Sequence, residues 1–125
     1  LKALMDRGTK MIILDARSLK NFQVAHIRGA QLPLTKDYYE KEEMFRLGIM
    51  SHAPDRDQAL IEGAKRFPKT TKVITYCNDD CQASSVLLIQ LKRMGFSDVR
   101  ALDEGFQTWM GKKYPVIKPR PAKTA

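Results

Sequence analysis

Two short apolar runs constrain this chain most: Met11-Ile12-Ile13-Leu14, and Val73-Ile74-Thr75-Tyr76 following Lys72. The first is continuous and is followed at once by Asp15-Ala16-Arg17. Such a run suits a strand buried on both faces, as in a parallel sheet. The second is β-branched and aromatic, which predicts another strand over 72–76. Two further strands are predicted at 30–34, where Pro33 points to a sheet edge, and at 97–102. Helical segments separate them. The sequence predicts helices over 2–7 (closed by Gly8), 19–24 (capped by Ser18), 38–49, from Asp55 or Asp57 to Phe67, 83–94 and 106–110. The segment 83–94 is the clearest, with Ala83, Leu87, Leu91 and Met94 at helical spacing and Gly95 at its end. Strands alternating with helices imply an α/β fold around a mostly parallel sheet with right-handed crossovers. Sites in such sheets lie at the C-terminal ends of the strands, where Asp15 and Cys77 stand.

A chain of 125 residues suggests one domain, long enough to bury a core without a staple. No apolar run approaches the ~20 residues of a membrane span. The formal net charge of +8 favours anionic partners at long range. The basic residues are scattered, with little aromatic interleaving, so they read as a solvated surface rather than a nucleic-acid footprint. Two cysteines are too few for a disulfide scaffold and do not settle the redox compartment. The chain starts at Leu1 without a signal-peptide pattern. The compartment is left open: the cytoplasm is slightly favoured, and an extracytoplasmic site fits if a leader or anchor has been removed.

Both cysteines fall in one stretch, Cys77-Asn78-Asp79-Asp80-Cys81-Gln82, between the predicted strand and the helix that starts at Ala83. A strand–loop–helix of this kind aims backbone N–H groups into the loop, and the helix N-terminus adds partial positive charge. A thiol at its mouth can have a lowered pKa and react. The same amides could hold an anionic substrate or a persulfide sulfur, with Ser84 and Ser85 adding hydroxyls. Other readings stand beside this one. A zinc site would need His26 and His52 as well, and these lack paired spacing, so no metal is expected. A Cys77–Cys81 disulfide is sterically possible but a poor staple across so short a loop. Two inert buried thiols are the plain structural reading. A phosphatase loop needs an Arg six residues after its Cys, and that position is Ala83.

Several segments together resemble rhodanese-like domains. Ile13-Leu14-Asp15-Ala16-Arg17 is similar to the family's "LIDVR", and His26-Ile27-Arg28-Gly29-Ala30 to its "HIPGA". Thr75-Tyr76-Cys77 is similar to the strand before the active-site loop. Gly95-Phe96-Ser97-Asp98-Val99 resembles "GFxxV", Leu102 to Trp109 resembles "LxGGxxxW", and Lys113-Tyr114-Pro115-Val116 resembles the closing "GYPV". The matches run in the family's order over roughly residues 2–117. The resemblance implies a three-layer domain over 1–117 with a central five-stranded parallel sheet, its start open to truncation. Residues 118–125 are expected to form a flexible tail. It also implies that Cys77 takes a sulfane sulfur from a donor and passes it to a thiophilic acceptor. The donor would be thiosulfate, polysulfide or a persulfide, including one on a partner protein. The acceptor would be a thiol or a cyanide-like species. No cofactor is implied. The substrate loop would be Asn78, Asp79, Asp80, Cys81, Gln82 and Ser84, with Asp15 and Arg17 orienting it by hydrogen bonds and ion pairing. His26 and Trp109 are expected to be structural.

The chain departs from the pattern at Arg28, where the family usually has Pro, at Glu104, where it usually has Gly, and in the loop carboxylates. Two like charges about 5–6 Å apart interact by roughly 3 kcal/mol at an effective dielectric near 20, before screening. Asp79 and Asp80 are therefore expected to repel thiosulfate and disfavour a thiolate. Cys81 is a candidate resolving thiol, able to attack an oxidised or persulfidated Cys77. A binding module without catalysis and a thiol redox protein remain the alternative functions.

Overall fold

The computed structural model describes residues 1–119; positions 120–125 of the expected tail lie outside the described residues. The chain divides into two compact units, Leu1–Leu32 with the chain from Lys69 onward, and Pro33–Pro68.

The first unit is built on a parallel sheet. Strand β1 (Ile12–Asp15) pairs on one side with β3 (Ala30–Gln31) and on the other with β4 (Val73–Tyr76), which pairs with β5 (Val99–Ala101). The order is β3-β1-β4-β5, which puts β3 at an edge, as Pro33 predicted. Side chains alternate between the faces. Ile13, Ala30 and Tyr76 belong to a core with Ala25, Ile27, Phe106 and Trp109, contributed in part by helices α2 (Leu19–Val24) and α6 (Phe106–Gly111). Helix α1 (Lys2–Asp6) adds Met5 at its margin. The opposite face receives helix α5 (Ala83–Arg93), which buries Ser84, Leu87 and Leu91 and packs on β4 and β5. There Thr75 Oγ1 donates to the Ser84 carbonyl at 2.9 Å.

The central sheet has four strands, not the five that the resemblance implies. A separate antiparallel pair joins β2 (His26–Ile27) to β6 (Val116–Ile117), register His26 to Ile117 and Ile27 to Val116. The chain reverses after α6 through Lys113, at φ 58°, and so returns antiparallel, outside the parallel ladder. Lys118 and Pro119 are exposed and irregular. Local rules account for the helix starts. Ser18 accepts the Asn21 N–H at 3.2 Å and begins α2, and α5 stops at Gly95, whose φ of 102° suits glycine. The two residues expected to be structural are so. Trp109 is fully buried and donates through Nε1 to the Pro115 carbonyl at 2.9 Å. His26 stacks on Phe22, with Nδ1 2.9 Å from the Phe22 carbonyl.

The second unit holds α3 (Lys36–Arg46) and α4 (Arg56–Ala64). Thr35 and Asp55 cap them by accepting the N–H groups of Tyr38 and Gln58. Both helices end short of the predicted boundaries at 49 and 67, the first because Gly48 turns the chain at φ 79°. Within α4, Gly63 leaves no room for a side chain, since a Cβ there would overlap the Pro33 carbonyl.

Candidate active site

Cys77 follows β4 directly, at the C-terminal end of an interior strand. Its residue is 4% exposed. The loop turns through Asp80 at φ 62°, and Gln82 forms the N-cap of α5 without a side-chain cap bond. The Cys77 thiol lies 3.2 Å from the Cys81 carbonyl, to which it donates, and 3.4 Å from Ser84 Oγ. The Cys81 amide closes the turn on the Asn78 carbonyl at 3.2 Å, and Cys81 Sγ accepts from the Ala83 N–H at 3.4 Å. Both thiols are free.

Burial pushes the Cys77 thiol above its ordinary pKa, and the neighbouring Cys81 pushes the same way, while Ser84 opposes them. The strand–loop–helix allows a lowered pKa and the loop carboxylates oppose it; burial decides for a raised one. Desolvation penalises the thiolate more than the helix terminus and hydroxyl favour it. Alkylation of Cys77 by neutral iodoacetamide is therefore expected to climb with pH beyond the ordinary thiol range near ~8.5. Ser84→Ala should move the midpoint up and Cys81→Ala should move it down. A midpoint below neutrality in the unaltered protein would contradict this account.

The loop is held from the other side by α6. The Asp79 N–H donates to Gln107 Oε1 at 2.7 Å, and Gln107 Nε2 donates to Asn78 Oδ1 at 2.9 Å. The Asp79 carboxylate accepts from Thr108 Oγ1 at 2.9 Å and from the Thr108 N–H at 3.4 Å. Gly105 makes this approach possible, because a Cβ there would overlap the Asp79 amide and carboxylate. Asp79 and Asp80 are thus not equivalent: the first is tied down, whereas the second carries no hydrogen bond or ion pair among the described residues.

Cys77 and Ser84 share a small cavity of about 50 Å³ with Asp79, Asp80, Asp103 and Glu104. Glu104 is paired with Lys112 at 2.6 Å. Asp103, Glu104, Gly105, Gln107 and Thr108 join the site beyond the residues expected from sequence. The signal was available, since 102–105 follow β5 directly and strand ends in parallel sheets carry sites. Asp15 and Arg17 do not line this cavity. Asp15 is fully buried, takes the Tyr76 hydroxyl at 2.7 Å, and holds Arg17 at 2.8 Å. Arg17 also donates to the Ala25 carbonyl, and it lines a neighbouring cavity of about 210 Å³ that shares Asn78. Their geometry is that of a buried brace beneath the strand ends. Among the described residues, no three of His, Cys, Asp and Glu converge to hold a metal ion. No helix of the described residues is long and apolar enough to cross a membrane.

The sequence profile of the rhodanese-like domain matches residues 1–112. A tRNA uridine(34) hydroxylase of Bacillus pumilus is 32% identical over 100 residues, 78% of this chain and 25% of that protein. A thiosulfate sulfurtransferase of Escherichia coli, YnjE, is 31% identical over 104 residues, 83% of this chain and 22% of that protein. The chain therefore spans about a quarter of the length of the curated relatives it matches. Among solved structures, a rhodanese-like domain from Anabaena sp. superposes with a TM-score of 0.68 at 20% identity, over 99% of this chain and 81% of that one.

Proposed function

The chain belongs to the rhodanese-like domain family, and from that premise we propose that it is a sulfurtransferase working through a persulfide on Cys77. The observation that carries the reading is the placement of Cys77: a thiol at the end of an interior strand, on a cavity, beside the start of α5. The Cys77 thiolate attacks the outer sulfur of a donor R–S–S⁻. A new S–S bond forms, the donor S–S bond breaks, and R–S⁻ leaves with the electron pair. Polysulfide and small or protein-borne persulfides fit this step, and thiosulfate fits it with sulfite as the leaving group. In the second half, a thiol or a cyanide-like acceptor attacks the terminal sulfur and Cys77 leaves as thiolate. Ser84, whose hydroxyl lies 3.4 Å from the Cys77 sulfur, would stabilise that thiolate by a hydroxyl bond. The roles of Asn78, Asp79 and Gln82 are to shape that loop.

Intact-mass measurement after incubation with polysulfide tests this. The expected result is a gain of one sulfur atom in the unaltered protein and in Cys81→Ser, and none in Cys77→Ser. Absence of any gain would transfer the reading to a non-catalytic binding module. The Cys81 side chain stands close enough to the Cys77 thiol to raise its pKa, and this favours a second reading, in which Cys81 resolves an oxidised Cys77. Mild peroxide should then yield an intramolecular disulfide, whereas overoxidation of Cys77 alone would exclude that role.

A further inference from the structure

We infer that the Cys77 cavity favours sulfur donors whose carrier is cationic, such as an aminothiol persulfide, and takes sulfur more slowly from anionic donors such as thiosulfate. The inference rests on Cys77 as the sulfur-accepting thiol. It goes further by naming the charge of the carrier.

Four acidic residues, Asp79, Asp80, Asp103 and Glu104, line the cavity with Cys77, and among the described residues no lysine, arginine or histidine lines it. Two are already engaged, Asp79 on Thr108 and Glu104 on Lys112. Asp80 and Asp103 are exposed and carry no ion pair or hydrogen bond among the described residues. They come from different strand ends, the loop after β4 and the turn after β5, and only the parallel sheet brings them together. The space of about 50 Å³ is close to the share of one or two water molecules, so a bound donor sulfur and these carboxylates stand within short Coulomb range. The chain as a whole carries +8, but that field is diffuse and falls off within a Debye length of about 8–10 Å in ordinary salt. Inside the cavity the local negative charge prevails. An amine on the carrier would face Asp80 and Asp103 as its sulfane sulfur reaches Cys77. The transfer itself balances without a further reactant: Cys77–S⁻ and R–S–SH give Cys77–S–SH and R–S⁻, where R bears the ammonium.

The test uses the Cys81→Ser protein, in which Cys77 is the one remaining thiol. Mass spectrometry follows its loading from cysteamine persulfide, glutathione persulfide and thiosulfate. The cationic donor is expected to load it about tenfold or more faster than thiosulfate at low salt. The ratio should collapse when Asp80→Asn and Asp103→Asn are added, and should shrink between about 0.01 M and 1 M salt. Equal loading by thiosulfate, or a ratio unmoved by the two substitutions, would overturn the inference. Parallel labelling of Cys77 with cationic and anionic methanethiosulfonates reads the same selectivity without sulfane transfer. If no donor loads Cys77, the sulfurtransferase reading fails. The inferred charge selection then stands only if the cationic reagent is still preferred in a manner that depends on Asp80 and Asp103.

Discussion

Gly105→Ala is expected to lower the rate of Cys77 persulfide formation by about 100-fold while the protein remains folded, the scale of loss that a misplacement near 1 Å can bring. A Cβ at position 105 would overlap the Asp79 amide nitrogen and carboxylate oxygen and stand 2.5 Å from the Asn78 carbonyl carbon. These are backbone atoms and a carboxylate held on Thr108, not the free end of a flexible side chain. Relief therefore requires the whole loop to move. The movement would break the two bonds from Gln107 to Asn78 and Asp79, which anchor the loop on α6. The Cys77 carbonyl, which accepts the Phe106 N–H at 2.9 Å, would move with it. Single-turnover loading followed by mass, alongside circular dichroism, separates a displaced loop from an unfolded chain. Gln107→Ala, which frees the loop without overlap, should have a smaller effect of the same kind. Wild-type loading by Gly105→Ala would show that the loop does not need this close approach.

Asp15→Ala is expected to destabilise the protein by about 3–5 kcal/mol, the usual loss when one partner of a buried ion pair is removed. Asp15 is fully buried and the Arg17 side chain is 4% exposed. The carboxylate accepts from the Arg17 backbone N–H, from its guanidinium and from the Tyr76 hydroxyl. Removing it leaves a guanidinium and a phenol without their partner in the interior. Burial, and then the Asp15 charge, raise the Tyr76 phenol well above its ordinary pKa, so it keeps its proton and cannot compensate by ionising. The same hydroxyl accepts the Ile27 N–H at 3.1 Å, so the damage would reach β2. For a chain of this size, thermal unfolding should shift downward by more than about 10 °C. Asp15→Leu combined with Arg17→Met should recover much of that, because an apolar pair leaves no charge stranded. A melting point for Asp15→Ala within a degree or two of wild type would remove the brace from this account.

The strands at β1 and β4 were legible because continuous apolar runs have few alternatives in a chain of this length. Helix α5 was legible from its 3.6-residue period, and the caps at Ser18 and Asp55 from short-range chemistry. Cys77 was legible as a candidate because it follows a strand and precedes a helix. The β2–β6 pair was not. Two residues form each strand, too few for any periodicity, and they are about ninety positions apart. The direction of the Cys77 shift was expected from Asp79 and Asp80, but its cause was hidden, since burial depends on what packs around the loop rather than on the loop's own residues.

From sequence by itself follow the α/β alternation, the parallel interior strands and the strand–loop–helix that carries Cys77. These depend on hydrophobic period, capping and turn residues, interactions that act within a few positions along the chain. Tertiary structure alone decided that Asp79 turns to Thr108, that Gly105 lets α6 grip the loop, and that Asp103 and Glu104 join Asp80 around one thiol. Parallel strands align their C-terminal ends across the sheet, so residues more than twenty positions apart come to share a cavity of about 50 Å³. No local rule carries that information, because the charge a substrate meets is a sum over space and not over sequence.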